Sequence, residues 1–433
     1  MKKYKINYIT LGCSKNWVDT EVLMRQFEKE KFSLFHNSYD KNFDTVIINT
    51  CGFIADAKEE SINVILENIE KKANKEIKNL VVFGCLSERY KEELKKEMPE
   101  VDAFFGVKNF KELLEYLNEI YKQEILYKRI ITTPSHFAYL KISEGCNRKC
   151  SFCVIPLIRG KHISKSIENI VKEANYLSKK GVKELILIAQ DLSYYGLDLY
   201  KKPKLAELIE KLSDVKGIEW IRLHYLYPFK FPKNVLEVIK KTPNICNYLD
   251  IPVQHISDDI LKNMKRGHSK NDLYDLLYFF KKQNPEIALR TTLIVGFPNE
   301  SEEDFEELKN FIKKIRFDRL GVFSYSEEEN TFSEKNFIDN IPEEIKEKRI
   351  GEIMEIQQKI SFELNQEKIG KYFKIIVEKE EKKFFIGRTE FDSPEVDNEV
   401  MVKKDINKKI KIGNFYKVKI IDAEDFDLFA EFC

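Results

Sequence analysis

A chain of 433 residues, 43% hydrophobic and 33% charged, is too long for one small core and suggests two to four globular domains. Lys+Arg 73 against Asp+Glu 72 leaves a net charge of +1, which excludes a global basic field that would recruit nucleic acid. No apolar run approaches the roughly 20 residues that span a bilayer, and the apolar run at the basic start is too short, and interrupted by Asn7, for a signal peptide; a cytoplasmic protein is expected.

Residues 1–125 alternate strand and helix patterns. Tyr4–Leu11 reads as a strand and Thr20–Glu30 as a helix. Asp44–Thr50 (DTVIINT) is a near-continuous apolar strand, and Lys58–Lys72 carries Ile62, Ile65, Leu66 and Ile69 at helical spacing. Leu80–Gly84 is a third buried-type strand, followed by a helix over Glu88–Glu97. Such strands, separated by helices, imply a parallel sheet covered on both faces. Cys13, Cys51 and Cys85 each stand where a strand ends and the turn toward a helix begins. Those carboxyl ends gather along one edge, where open parallel sheets hold ligands. Gly12, Gly52 and Gly84 beside them let backbone approach a bulky group. Any one of these cysteines reads as an ordinary buried thiol; three at equivalent positions point to a cluster site.

The section from 130 to 342 repeats strand-then-helix. Its strands are Phe137–Ile142, Glu184–Ala189, Trp220–Tyr225, Tyr248–Val253, Ala288–Val295 and Leu320–Tyr325, with helices such as Ile167–Lys179, Leu205–Leu212, Asn271–Lys282 and Glu302–Lys314. Six βα units suggest a partial barrel rather than a closed eight-unit one, with its site at the strands' C-terminal ends. The loop after the first strand, within ISEGCNRKCSFCVIPLIRGK (142–161), carries Cys146, Cys150 and Cys153 at C-x3-C-x2-C spacing. Three thiolates so placed can hold three corners of a 4Fe-4S cluster and leave the fourth iron open. Zinc would require a fourth ligand, and the nearest candidate is His162, beyond an apolar segment.

Eight cysteines in a chain this long do not make a disulfide scaffold; clustered ones in a reducing compartment point to metal or catalysis. Cys246 and Cys433 stand apart and read as a buried thiol and a chain end. Gln190, Asp191, Gln254 and Gly296 fall at the presumed active edge as cofactor contacts, or else as caps and turn residues. Arg159, Arg222 and Arg290 could bind carboxylates with a guanidinium fork, or serve as structural ion pairs. His224 reads as packing or hydrogen bonding. No catalytic side chain is singled out.

Asn330–Pro342 lacks a sustained period, and a long charged helix follows over 343–370. Residues 371–433 carry short alternating runs (Phe373–Val377, Phe384–Gly387, Tyr416–Ile421) with turn signals at Ser393-Pro394, Asp397-Asn398 and Gly413-Asn414, as in a small antiparallel OB-like β-barrel. An RNA-binding barrel should be basic. This one holds about 13 Lys/Arg and about 14 Asp/Glu, and its run Asp422–Asp427 is acidic, which suits a basic protein partner or is simply a solvated loop.

The cysteine loop after the first barrel strand resembles that of radical S-adenosylmethionine enzymes. With Cys13, Cys51 and Cys85 before it and a TRAM-like barrel behind, the full length resembles the methylthiotransferase family. Leu11–Asn16 (LGCSKN), Ile188–Tyr200, Arg222–Pro228 (RLHYLYP) and Gly387–Asp397 (GRTEFDSPEVD) are similar to the branch that modifies an aspartate of the small-subunit ribosomal protein S-twelve; a second branch, which modifies tRNA adenosine, is closer to GCQMN at the first motif. Glu328–Thr331 (EENT) departs from a pattern closer to EEGT. The resemblance implies two 4Fe-4S clusters, one on each cysteine triad, with S-adenosylmethionine on the open iron of the second as the source of a 5′-deoxyadenosyl radical. Gln190, Asp191, Arg222, Gln254 and Gly296 would contact that cofactor. It also implies a monomer that methylthiolates the β-carbon of the aspartate, in the free protein or the small ribosomal subunit, with help from a sulfur donor and a low-potential electron donor. A tRNA-modifying enzyme and a non-catalytic, metal-stabilised RNA-binding protein are the competing readings.

Overall fold

The first sheet is parallel throughout, with strands β1 (Tyr4–Thr10), β2 (Phe32–His36), β3 (Phe43–Thr50), β4 (Ile77–Gly84) and β5 (Ala103–Phe105) in the order 2-1-3-4-5. This is a computed structural model that describes residues 3–40, 42–405 and 408–433; Met1 and Lys2, at the head of the expected first section, lie outside the described residues. Helices α1 (Ser14–Gln26), α2 (Ala55–Ala73), α3 (Cys85–Glu97) and α4 (Phe110–Tyr116) cover the two faces. One face buries Val46, Ile48, Leu80 and Val82, and the other Tyr8, Ile47, Val81 and Phe83, so alternate residues of each strand serve opposite cores.

Two expectations shift here. The first helix is Ser14–Gln26, not Thr20–Glu30, because Cys13 is its extended N-cap and Phe27 is already extended. Its first two turns bury polar residues, since Asn16 and Asp19 bond to other parts of the chain, and this hides the helix from a hydrophobic-period search. Strand β2 gives no apolar run because every residue in it is only half-buried at the sheet edge.

The central sheet runs β6 (Phe137–Lys141), β7 (Glu184–Ile188), β8 (Trp220–Leu223), β9 (Ile245–Asp250), β10 (Ala288–Val295) and β11 (Arg319–Ser324), all parallel and paired in sequence order. Because each strand adds to the same edge, the sheet curls into a partial barrel. Leu185, Leu187, Ile221, Leu223, Leu249 and Leu289 point outward to the helices in the largest core. The alternate residues, Glu184, Arg222, Tyr248 and Arg290, line the inner face. The fourth strand lies three residues before the expected Tyr248–Val253, since Pro252 has no N–H for a ladder.

The connecting helix (Glu343–Gln366) leads to a closed five-stranded barrel of β12 (Tyr372–Glu380), β13 (Phe384–Thr389), β14 (Val400–Lys403), β15 (Phe415–Ala423) and β16 (Leu428–Phe432). The β13–β14 loop enters the floor of the partial barrel. Arg222 donates to the Glu390 carbonyl at 2.6 Å, Arg319 to Asp392 at 3.0 Å and Tyr248 to Asp397 at 2.8 Å, while Ser393 Oγ and His224 Nε2 are 2.9 Å apart. In the acidic run Asp422–Asp427 the carboxylates of Asp422 and Glu424 stay exposed, while Gln358 and Asn365 of the connecting helix bond to Asp425 and to the carbonyls of Glu424 and Asp425. Among the described residues no helix is long and apolar enough to cross a membrane.

Candidate active site

Cys13, Cys51 and Cys85 follow β1, β3 and β4, three neighbouring strands flanking the point where the strand order reverses. The two turns are tied by the Asn16 side chain, whose amide donates to the carbonyls of Leu11 at 2.9 Å and Thr50 at 3.1 Å. Gly12 is left-handed at φ +81°, and a Cβ there would lie 2.7 Å from the Cβ of Cys51. The Cys51 N–H donates to Ser61 Oγ at 3.0 Å. Burial pushes the Cys85 thiol up to about 12, with Arg159 pulling against it; burial also raises Cys51, and both feel Cys13.

The second loop is closed by the Cys146 N–H donating to the Gly160 carbonyl at 3.0 Å and braced where the Ser151 N–H donates to the Met264 carbonyl at 3.0 Å. Arg266 donates to Cys150 Sγ at 3.2 Å, Tyr227 Oη lies 3.8 Å from the same sulfur, and the Arg148 N–H donates to Cys146 Sγ at 3.4 Å. Burial pushes Cys146 up to about 11 and raises Cys153 as well. All of these cysteines are free. Among the described residues no three His, Cys, Asp or Glu side chains close around a single ion; corners of a four-iron cube stand wider apart. Thiols grouped in threes, two buried (Cys51, Cys85), three half-buried (Cys146, Cys150, Cys153) and one exposed (Cys13), with an arginine beside each group, suit the iron–sulfur donor set.

Arg159 joins the two triads. It lies on α5 (Ile155–Arg159), directly after the second loop, and donates to Asn16 at 2.5 Å, Asp19 at 2.7 Å and Glu144 at 3.2 Å, with Cys85 Sγ at 3.3 Å. Lys141 pairs with the same two carboxylates. Burial pushes the Glu144 carboxyl up, but Lys141 and Arg159 outweigh it and hold it far below the usual range. Val18 of α1 packs with Tyr139, Ile186 and Ile188 on the inner face of β6 and β7. On the far side, Glu328 receives Arg89 at 2.7 Å and Lys58 at 3.1 Å, and Arg89 also donates to the Gly52 carbonyl at 2.8 Å. The EENT departure falls here: Asn330 adopts φ +65°, a conformation natural to glycine and tolerated by asparagine.

Of the expected cofactor contacts, Gln190 donates to Glu144 at 2.8 Å, and Asp191 caps a short turn while accepting from Arg148 at 2.7 Å; both stand beside the second loop. Gln254 holds φ +74° and bridges by backbone to Leu293 at the end of β10. The other two expected contacts, Arg222 and Gly296, have these neighbours within the chain. Arg222 is fully buried on the barrel floor, its fork taken by Glu184 at 2.8 Å and by the Glu390 carbonyl, so it docks the terminal barrel. At Gly296, φ +70°, the side where a Cβ would stand is filled by the connecting helix, with Lys346 Cγ 2.3 Å away.

Arg290 joins Asp250 and Asp397 in structural pairs, and His224 is buried against Ser393. His162 Nε2 and Ser164 Oγ are 3.1 Å apart. Cys246 is buried beside Trp220 and Tyr248. Sequence reading missed Arg148, Tyr227 and Arg266 beside the second triad and Lys15 beside the first. Only Arg148 and Lys15 carried a signal, as cations inside or next to a cysteine motif.

Models of three families match the chain: the uncharacterized protein family UPF0004 over residues 5–106, the radical SAM superfamily over 140–312 and the TRAM domain over 369–433. Solved structures share the fold at low identity. A radical S-adenosylmethionine methyltransferase, TsrM, from Kitasatospora setae gives a TM-score of 0.56 at 12% identity, covering 75% of each chain. The cobalamin-dependent radical enzyme OxsB gives 0.51 at 14%, covering 83% of this chain and 56% of that one. Relatives named ribosomal protein uS12 methylthiotransferase RimO match nearly end to end. That of Bacteroides thetaiotaomicron is 54% identical over 100% of this chain and 99% of its own; that of Phocaeicola vulgatus is 55% identical over 99% of each. That of Flavobacterium johnsoniae is 55% identical over 100% of this chain and 98% of its own. The chain is a radical S-adenosylmethionine enzyme and belongs to the ribosomal protein uS12 methylthiotransferase RimO family.

Proposed function

We propose that this enzyme replaces a β C–H bond of an aspartate in ribosomal protein uS12 by C–SCH3. The single observation that carries the reading is the meeting of two thiol triads at facing sheet edges, with Arg159 bonded across from the loop of Cys146, Cys150 and Cys153 to Cys85. In this reading Cys13, Cys51 and Cys85 in section 1–125 hold one 4Fe-4S cluster, and Cys146, Cys150 and Cys153 in section 130–342 hold the other. When bound, the clusters and S-adenosylmethionine supply the reducing electron, the radical and the methyl-bearing sulfur. The chain supplies placement. Arg159, Asp19, Lys141 and Glu144 fix the two edges against each other, because one buried network spans both. Gln190 and Asp191 stand at the cofactor's polar ends, and Arg148 and Tyr227 line the same edge. The 371–433 barrel docks on the floor and helps choose the recipient. The proposal includes a sulfur donor, a low-potential electron donor, a monomeric state and a cytoplasmic setting.

Anaerobically reconstituted enzyme, given reductant, sulfide, S-adenosylmethionine and uS12, should yield a uS12 peptide in which one methylthio group replaces one hydrogen on the aspartate. Mass spectrometry reads this directly. Modification of a tRNA anticodon stem-loop with uS12 untouched would favour the nucleoside branch instead.

A further inference from the structure

Lys15 is 8% exposed, and no carboxylate of the described residues is paired with it; its ammonium rests on the Tyr225 ring, 3.2 Å from the centroid. The other buried lysines and arginines around the triads, and the half-buried Arg148, have acidic or sulfur partners: Lys141 and Arg159 take Asp19 and Glu144, Arg148 takes Asp191, and Arg266 takes Cys150. A buried cation left with only a ring face is poorly compensated, since charge removed from water needs an opposite charge or several hydrogen bonds. Its place is between the two halves of the site. Lys15 lies in the first turn of α1, two residues after Cys13, and Tyr225 follows β8 at the active edge. Tyr225 holds φ +60°, and its carbonyl accepts from the Leu192 N–H at 3.0 Å, next to Asp191 and Arg148 of the second loop. The first turn of α1 has no acidic residue and no side-chain cap, and Ser14 Oγ is buried without a partner. Helix pole and ammonium together present positive charge to one point.

Resting on the function proposed above, we infer that Lys15 is the positioning residue that receives the carboxylate of the target aspartate, holding its β-carbon between the two triads. A point ammonium with three donors suits a carboxylate that must arrive and leave, and the Tyr225 ring keeps it seated while vacant. This makes acidic side chains the substrate class and sets them apart from their neutral isosteres.

The test crosses two substitutions. Lys15→Met keeps the length and apolar stem of the side chain and removes its charge; in uS12 the target aspartate is replaced by asparagine. Binding of each uS12 form to each reconstituted enzyme is measured by equilibrium titration. Iron content and 5′-deoxyadenosine release without uS12 report whether the Lys15→Met site is intact. Wild-type enzyme should bind the aspartate form about 10- to 100-fold more tightly than the asparagine form, the range of a charge-assisted hydrogen bond. Lys15→Met, with iron and 5′-deoxyadenosine unchanged, should bind both forms alike. Retention of wild-type discrimination by Lys15→Met would overturn the inference, as would loss of iron with discrimination kept, which would make Lys15 a partner of the first triad. Failure of the wild-type enzyme to modify uS12 is a separate result that sinks the proposed function itself.

Discussion

Arg159 holds its guanidinium 3.3 Å from the sulfur of Cys85, although 74 residues separate them in sequence. The same side chain neutralises Asp19 and Glu144, so it serves at once as lock between the two sheets and as the cation beside a thiol. Arg159→Leu leaves the buried Asp19 and the half-buried Glu144 with Lys141 as their one remaining cation in this network. Removing one partner of a buried pair costs about 3–5 kcal/mol, so a loss of that order in urea unfolding is expected. A loss below about 1 kcal/mol would mean that the network is solvated.

The floor of the partial barrel makes a parallel case. Glu184 sits fully buried between Arg222 and Arg388; burial pushes its carboxyl up, but Arg388 and Arg222 together hold it below the usual range. Arg388→Met should free the β13–β14 loop. Limited proteolysis should then cut within 390–399 in the variant and spare the parent. Equal resistance in both would show that the bonds to the loop from Arg222, Arg319 and Tyr248 hold it without Arg388.

Asn330, at φ +65°, turns the chain beside the Glu328 clamp. A left-handed residue with a Cβ carries a strain of about 1–2 kcal/mol, which asparagine partly relieves by local bonding. Asn330→Gly should be close to neutral, and Asn330→Ala should lower stability by about 1 kcal/mol. A reversed order in thermal unfolding would contradict this account of the motif.

A pH dependence follows from His255, whose Nδ1 accepts from the Ser257 N–H at 3.0 Å and whose pKa burial pushes down to about 3. The unfolded chain binds this proton near pH 6.5, earlier than the fold does, so the contribution is complete above that pH and fades as pH falls toward 3. Glu300 acts in the opposite sense. Burial pushes it up to about 7 against the pull of Arg349, so its contribution is complete below its ordinary 4.5 and fades as pH rises through 7. Comparison of wild type with His255→Asn, in which Glu300 (Oε2 3.9 Å from His255 Nε2) is kept, reads the first effect: the gap in unfolding free energy should shrink between pH 7.5 and pH 5. A constant gap would mean that His255 titrates normally.

Much of this was readable in the residues. The apolar runs of β3, β4 and β7 announce parallel strands because both their faces are buried, and Ile167–Lys179 emerges as drawn because its apolar stripe meets a single core. The cysteines were legible because motif spacing and strand ends coincide. Elements whose polar residues are buried against another part of the chain were not. The start of α1 looks solvent-facing until Asn16 and Asp19 meet Arg159, and Arg222 looks like a free fork until the β13–β14 loop arrives from 168 residues away. Long-range partners of charged groups leave no period in a sequence.

The central claim is that two separate triads each carry a cluster. Iron and sulfide analysis of the anaerobically reconstituted protein tests it most directly, on the wild type and on two variants, Cys13→Ala/Cys51→Ala/Cys85→Ala and Cys146→Ala/Cys150→Ala/Cys153→Ala. The account predicts about eight irons in the wild type and about four in each variant, with 5′-deoxyadenosine formation kept by the first variant and lost by the second. About four irons in the wild type, or none in either variant, would contradict it.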